Sequence, residues 1–243
     1  MTLLDVHHGL MSASAVVQAF TGIVVRLSLT KERPILFSAP MVRALLKGSK
    51  TQTRRVVKPQ SAILTDEMAR SLGVQPPATE NPAVIPCPYG APGDRLWVRE
   101  TWAVQHEYDA AAPSEIGASA RWHYAATEDL GGLRKRPSIF LPRRGSRISL
   151  EITAVRVERL QAISEADARA EGLSRVTKDG SLWKWGIPDA DGLPGTDDSG
   201  WPWRDWERSP VAAYRRLWES IHGPGSWDLN PWVWAVSFKR LQP

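Results

Sequence analysis

Leu46-Lys47-Gly48-Ser49-Lys50-Thr51-Gln52-Thr53-Arg54-Arg55 is the stretch on which the reading of this 243-residue chain turns. Before it, Ser38-Ala39-Pro40 offers a helix start, and Met41, Ala44 and Leu45 share one helix face. Gly48 suits the position just past a helix end, where the backbone adopts a positive φ. After it, Thr51 to Val57 combines two Thr with two Val and reads as a strand. Ile35-Leu36-Phe37 forms a short strand upstream. The local prediction is therefore strand, helix, tight turn, strand. The turn leaves Lys50 at a rim, and the two-residue strand period turns Thr53 and Arg55 to the same face. An amine, a hydroxyl and a guanidinium then converge on one cleft. A basic turn leading into an edge strand is the plainer alternative.

Further along, residues 59–92 are rich in proline and read as an irregular insertion. Pro92-Gly93-Asp94 turns into a strand over Arg95–Glu100, with Leu96 and Val98 on one side. Residues 105–121 read as a loop. From Arg147 to Leu160, Ile148, Leu150, Ile152 and Ala154 alternate with Ser149, Glu151 and Thr153, the clearest strand pattern in the chain. Ser164 caps a helix with Asp167 at the third position, and that helix stops at Gly172. Residues 178–208 form a surface loop with aromatic anchors. Ser209-Pro210 opens a helix to Ile221 whose Val211, Tyr214, Leu217, Trp218 and Ile221 share a face. Trp232 to Leu241 closes the chain as a strand, with Trp232, Trp234, Val236 and Phe238 on one side. This order predicts an α+β fold, a curled sheet or small mixed β-barrel with flanking helices. Residues 1–33 lack periodicity and are expected to be a poorly ordered N-terminal extension to a domain at 34–243, which carries insertions at about 59–92, 105–121 and 178–208.

Composition narrows the function. At 42% hydrophobic and 23% charged residues the chain is ordinary for a soluble globular protein. The most apolar stretch, Met11–Leu29, is broken by Ser, Gln, Thr, Gly and Arg and lacks a basic leader, so neither a membrane span nor a secretory signal is expected. Cys87 stands alone, which excludes an internal disulfide and a cysteine-based zinc site and suits a reducing, cytoplasmic setting. The five histidines, His7, His8, His106, His123 and His222, have no metal-ligand spacing, and no cofactor motif is present. The net charge of +5 is unevenly spread. Residues 41–60 contain Arg43, Lys47, Lys50, Arg54, Arg55 and Lys58 without an acid, and 130–150 contain Arg134, Lys135, Arg136, Arg143, Arg144 and Arg147 without one. Such clusters suit a polyanion, although solvated surface is the competing explanation. Nine of the twelve tryptophans lie between Trp183 and Trp234. Those in the 178–208 loop suit either a hydrophobic lid, the favoured reading, or base stacking.

Gly48-Ser49-Lys50-Thr51-Gln52-Thr53-Arg54-Arg55 resembles the G-x-K-T-x-T-x-R signature of the ASCH superfamily. Gly93-Asp94-Arg95-Leu96-Trp97-Val98, the segment Ile163 to Gly172, and Trp227-Asp228-Leu229-Asn230-Pro231-Trp232-Val233-Trp234 follow in the family's order. The last is similar to a group of phage and prophage ASCH-like proteins. The resemblance covers roughly residues 34–241 and implies a PUA-like fold that takes RNA, single-stranded DNA or a modified nucleoside, without a membrane partner. It also implies a site. In the small ASCH amidohydrolases acting on N4-acetylcytidine the active residues are a Lys, a Thr and a Glu, matched here by Lys50, Thr53 and Glu171, with Arg55 as the signature arginine. Glu171 is assigned from its place just before the glycine that ends the helix. In such a site a threonine hydroxyl attacks once a base removes its proton. Lys50 suits that role if burial and Arg55 lower its pKa, with Glu171 shuttling the proton or orienting the amine. Arg54, Arg55, Arg43, Lys47, Arg143 and Arg144 are the candidate ligand-binding cations. Three functions stay open: a nucleobase-binding module, an amidohydrolase on an N-acylated nucleoside, and a phage-associated interaction protein without catalysis. The long insertions depart from the compact amidohydrolases.

Overall fold

Five stretches with strand periodicity pair into one mixed sheet in a computed structural model that describes residues 30–60, 85–117, 119–195 and 200–242. The chain divides into a unit at Met1–Thr30, of which only Thr30 is described, and a unit at Lys31–Pro243 that holds every element below. Most of the expected extension, and residues 61–84 of the first insertion, lie outside the described residues.

The sheet contains β1 (Glu32–Leu36), β2 (Gln52–Val56), β3 (Arg95–Arg99), β6 (Ser149–Arg159) and β9 (Trp232–Arg240), in the order β1-β3-β6-β9-β2. β1 runs parallel to β3, and the other neighbours are antiparallel. β1 starts at Glu32, inside the segment assigned to the extension, so the domain begins earlier than residue 34. β9 lies between β6 and β2 and is covered on both faces. Its Val233, Trp234, Ala235 and Val236 are all buried, where the alternating pattern predicted one apolar side. Leu96, Trp97 and Val98 of β3 are likewise all buried. A register shift between Ile152 and Ala154 breaks the β6–β9 ladder, and such a bulge bends and twists a strand.

Among the described residues the sheet does not close into a barrel. β1 and β2 are its two edges, and a side-chain bridge spans between them: Arg55 Nη2 donates to the Leu36 carbonyl at 2.7 Å.

Three helices flank the sheet: α1 (Ala39–Leu46), α2 (Glu165–Ala170) and α3 (Pro210–His222). The caps follow the sequence. Ser164 Oγ accepts from the Asp167 amide at 3.1 Å, and Ser209 accepts from the amides of Val211 and Ala212. Gly48 has φ +77°, as a residue past a helix end requires. On α3, Tyr214 and Trp218 join the core beside Trp227, whereas Ile221, expected on the same face, is exposed. No described helix is long and apolar enough to cross a membrane.

Two short pairs complete the fold. β4 (Trp102–Ala103) pairs with β5 (His123–Tyr124) over a small satellite core of Trp102, Val104, Ile116 and Leu141. β7 (Ser174–Thr177) and β8 (Trp183–Gly186) form a hairpin whose second strand falls within the segment 178–208 read as loop.

Candidate functional site

The turn after α1 is held by two backbone bonds, from the amides of Ser49 and Lys50 to the Ala44 carbonyl. The end of α2 abuts it. Thr51 N donates to the Ala170 carbonyl at 2.9 Å, and Lys50 and Glu171 form an antiparallel bridge. Gly172 makes this approach possible. Its φ is +96°, and a Cβ there would sit 3.0 Å from the Cβ atoms of Ala44 and Lys50. Two helix ends thus meet with Lys50 against Glu171.

Both side chains are buried, at 4% and 3% exposure. Lys50 Nζ donates to the Glu171 carbonyl (2.7 Å), the Gln52 carbonyl (2.9 Å) and Glu171 Oε2 (3.0 Å), which uses all three of its N–H bonds. Glu171 Oε1 accepts from Arg54 Nη1 at 3.1 Å. Arg54 is likewise saturated. Nε and Nη2 donate to Glu158 Oε1, Nη1 also donates to Gln52 Oε1, and Nη2 donates to Asp167 Oδ2. Buried charge is tolerated only when paired and hydrogen-bonded in this way. Burial holds the Lys50 amine below the ordinary lysine range. Glu171 opposes that shift, and the guanidiniums of Arg55 and Arg54 add to it.

Over this network lies a hollow of about 200 Å³, lined by Lys50, Thr53, Arg54, Arg55 and Glu171 together with Phe37, Tyr214 and Trp218. Lys50 Nζ and the Arg55 guanidinium each stand 5.4 Å from the centre of the Phe37 ring. The uncommitted polar groups decide what the hollow can hold. Thr53 is only 4% exposed, and its hydroxyl makes no hydrogen bond to a described residue. The same is true of the Tyr214 hydroxyl, and burial raises the Tyr214 pKa well above the ordinary phenol value. Trp218 Nε1 and Arg55 Nε are buried donors without an acceptor among the described residues. Arg55 has no carboxylate partner there either. Each of these groups can donate, the two hydroxyls can also accept, and one positive charge has no carboxylate against it among the described residues. A ligand matching them is oxygen-bearing and neutral or anionic.

The sequence-predicted residues divide into two sets. Lys50, Thr53, Arg54, Arg55 and Glu171 come together. Lys50 is not at a rim but in the floor, because α2 closes over the turn. Arg54 has no N–H left for a ligand and instead positions Glu171. The other four are elsewhere. Arg43 and Lys47 line a separate cavity with Glu128 and Asp129, where Arg43 Nη1 bonds the Ala126 carbonyl. Arg143 pairs with Glu32 at 2.9 Å. Arg144 donates to the carbonyls of Pro113 and Ser114. Glu100, at the end of the strand that follows Asp94, makes a two-pronged pair with Arg147.

Sequence reasoning missed Gln52, Glu158, Asp167, Tyr214 and Trp218 as site components. One signal was available. Gln52 and Arg54 are polar residues two apart on a strand, so they share a face, and a buried strand face carrying two such groups needs a polar network to meet it. Among the described residues no cluster of three or more His, Cys, Asp or Glu side chains could hold a metal.

No protein-family model, curated protein or solved structure matches the chain.

Proposed function

We propose that this chain is a PUA-like protein of the ASCH type whose hollow binds a modified nucleobase or nucleoside. The observation that carries this reading is the convergence of Lys50, Thr53, Arg55 and Glu171, distant in sequence by up to 121 positions, on one small hollow. Its volume is below the roughly 300–1,000 Å³ of drug-sized pockets, which suits a single base better than an extended ligand. Arg55, which has no carboxylate partner among the described residues, and the donors of Tyr214, Trp218 and Thr53 match the carbonyl oxygens of a pyrimidine or an acyl group. The sheet is an opened variant of the expected barrel, with the Arg55–Leu36 bridge spanning its edges.

A second reading has its own support: hydrolysis of an exocyclic amide such as that of N4-acetylcytidine. The uncommitted Thr53 hydroxyl shares the hollow with an amine whose pKa burial depresses. In this reaction Thr53 Oγ1 attacks the acyl carbon while its proton passes to neutral Lys50. The tetrahedral oxyanion is stabilised by Arg55 N–H groups. Collapse breaks the C–N bond, Lys50 returns the proton to the leaving amine, and water hydrolyses the acyl-threonine. To act as base, Lys50 gives up one of its three acceptors; Glu171 holds the amine in register throughout.

Calorimetric titration with N4-acetylcytidine tests binding, and acetate release, beside a Lys50→Ala control, tests hydrolysis. Saturable binding that Arg55→Ala weakens supports the first reading. Acetate released by the wild type alone supports the second. If N4-acetylcytidine and other pyrimidine nucleosides neither bind nor turn over, both readings fail.

A further inference from the structure

The tryptophans of residues 178–208 fall into two classes that the sequence does not distinguish. Trp206 is an anchor. It is 1% exposed, its Nε1 donates to the Trp201 carbonyl at 2.8 Å, and a Cβ on Gly186 would run into its indole. Reciprocal backbone bonds between Trp185 and Glu207 fix the base of the hairpin as well. Trp183, in contrast, lies 42% exposed on the outward part of β8.

Cations interleave with these rings. Arg175 pairs across the hairpin with Trp185, which puts Arg175, Trp183 and Trp185 on one face. The Arg175 guanidinium is 4.5 Å from the Trp183 ring centre and 5.9 Å from that of Trp185, which Arg169 also approaches at 5.2 Å. Lys178 and Lys184 stand 5.4 and 5.1 Å from Trp203. Between Ser174 and Gly186 the only acid is Asp179, and its carboxylate is occupied by the turn amides of Ser181 and Leu182. Arg175 and Lys178 have no carboxylate partner among the described residues.

We infer that the β7–β8 hairpin is a stacking platform for single-stranded nucleic acid, separate from the hollow and not dependent on what the hollow binds. Indole and guanidinium planes both accept a stacked base, and every base offers a π-face, so such a surface tracks a strand without reading its sequence. Cations free of carboxylates are available to phosphates, whose neutralisation releases counterions. An acidic peptide would satisfy the charges but leave the exposed face of Trp183 without a flat partner. The hairpin is held from behind by Trp206, so the platform is preformed.

Fluorescence anisotropy with a fluorescein-labelled oligothymidylate tests the inference on the full chain. The wild type binds, with affinity falling steeply as salt rises. W183A weakens binding about tenfold at fixed salt. R175A weakens it and lowers the slope against log salt by about one. Thermal melting of both variants, together with their unchanged titration by N4-acetylcytidine, reports an intact fold and hollow. Three results overturn the inference: no oligothymidylate binding, binding that both variants leave unchanged, or polyglutamate binding equally well with the same dependence on Trp183. A wild type that binds the oligonucleotide but no nucleoside leaves the platform standing and removes only the reading of the hollow.

Discussion

Substituting Glu171 by glutamine is the sharpest physical test of the site, because one atom change removes the carboxylate that Lys50 and Arg54 share. Arg54 keeps Glu158 and Asp167. Lys50 keeps two backbone carbonyls but loses the Glu171 carboxylate, and one end of the new amide must direct N–H groups at a cation. Breaking a buried pair by removing one partner costs about 3–5 kcal/mol. At about 2–4 °C per kcal/mol for a domain of this size, the melting temperature of E171Q falls by roughly 6–20 °C. The double variant K50M/E171Q is less damaged than the sum of its parts. With the ammonium gone, the oxygen of the introduced amide can still accept from Arg54, and the amide hydrogens face an apolar chain. Urea denaturation of the wild type, both single variants and the double variant closes the thermodynamic cycle, with an expected coupling of about 1–3 kcal/mol. A loss below about 1 kcal/mol for E171Q, typical of an exposed pair, or strict additivity in the cycle, would refute the buried-tripod account.

Three further outcomes follow from the same geometry. Tyr214→Phe leaves the fold intact and weakens N4-acetylcytidine binding about 2- to 13-fold by calorimetry, the worth of one neutral hydrogen bond of about 0.5–1.5 kcal/mol; unchanged affinity means the hydroxyl does not touch the ligand. Gly172→Ala destabilises the protein by at least about 1–2 kcal/mol in urea, since it combines a positive φ with a Cβ contact at 3.0 Å to Ala44 and Lys50; a neutral result would show that α2 and the turn can move apart. Lys50 titrates below the ordinary lysine value. The folded state therefore holds fewer protons than the unfolded one across the interval up to that value, and this contribution to stability grows as pH rises through it and is lost as pH falls. Acetate release, if Lys50 is the base, rises over the same alkaline limb, and the Lys50→Ala variant releases none at any pH along it.

Local chemistry alone decided much of this protein. Gly48 stops α1 because only a residue comfortable at positive φ can leave a helix that way, and Ser164 and Ser209 cap helices because their oxygens reach orphan amides. The alternation of β6 was legible for the same reason: strand period and side-chain polarity are properties of neighbours in sequence. The grouping of Lys50, Thr53 and Arg55 within six residues was legible as well. Tertiary contacts decided the rest. That Lys50 is floor and not rim depends on α2 arriving from 121 residues away, and that Arg54 is spent on Glu158, Asp167 and Glu171 depends on three separate approaches. Arg143 and Arg144 looked like Arg55 in the sequence and differ only in which acceptors the fold brought to them. A charge is encoded by its own residue, but whether it is free to meet a ligand depends on every chain segment that reaches it first.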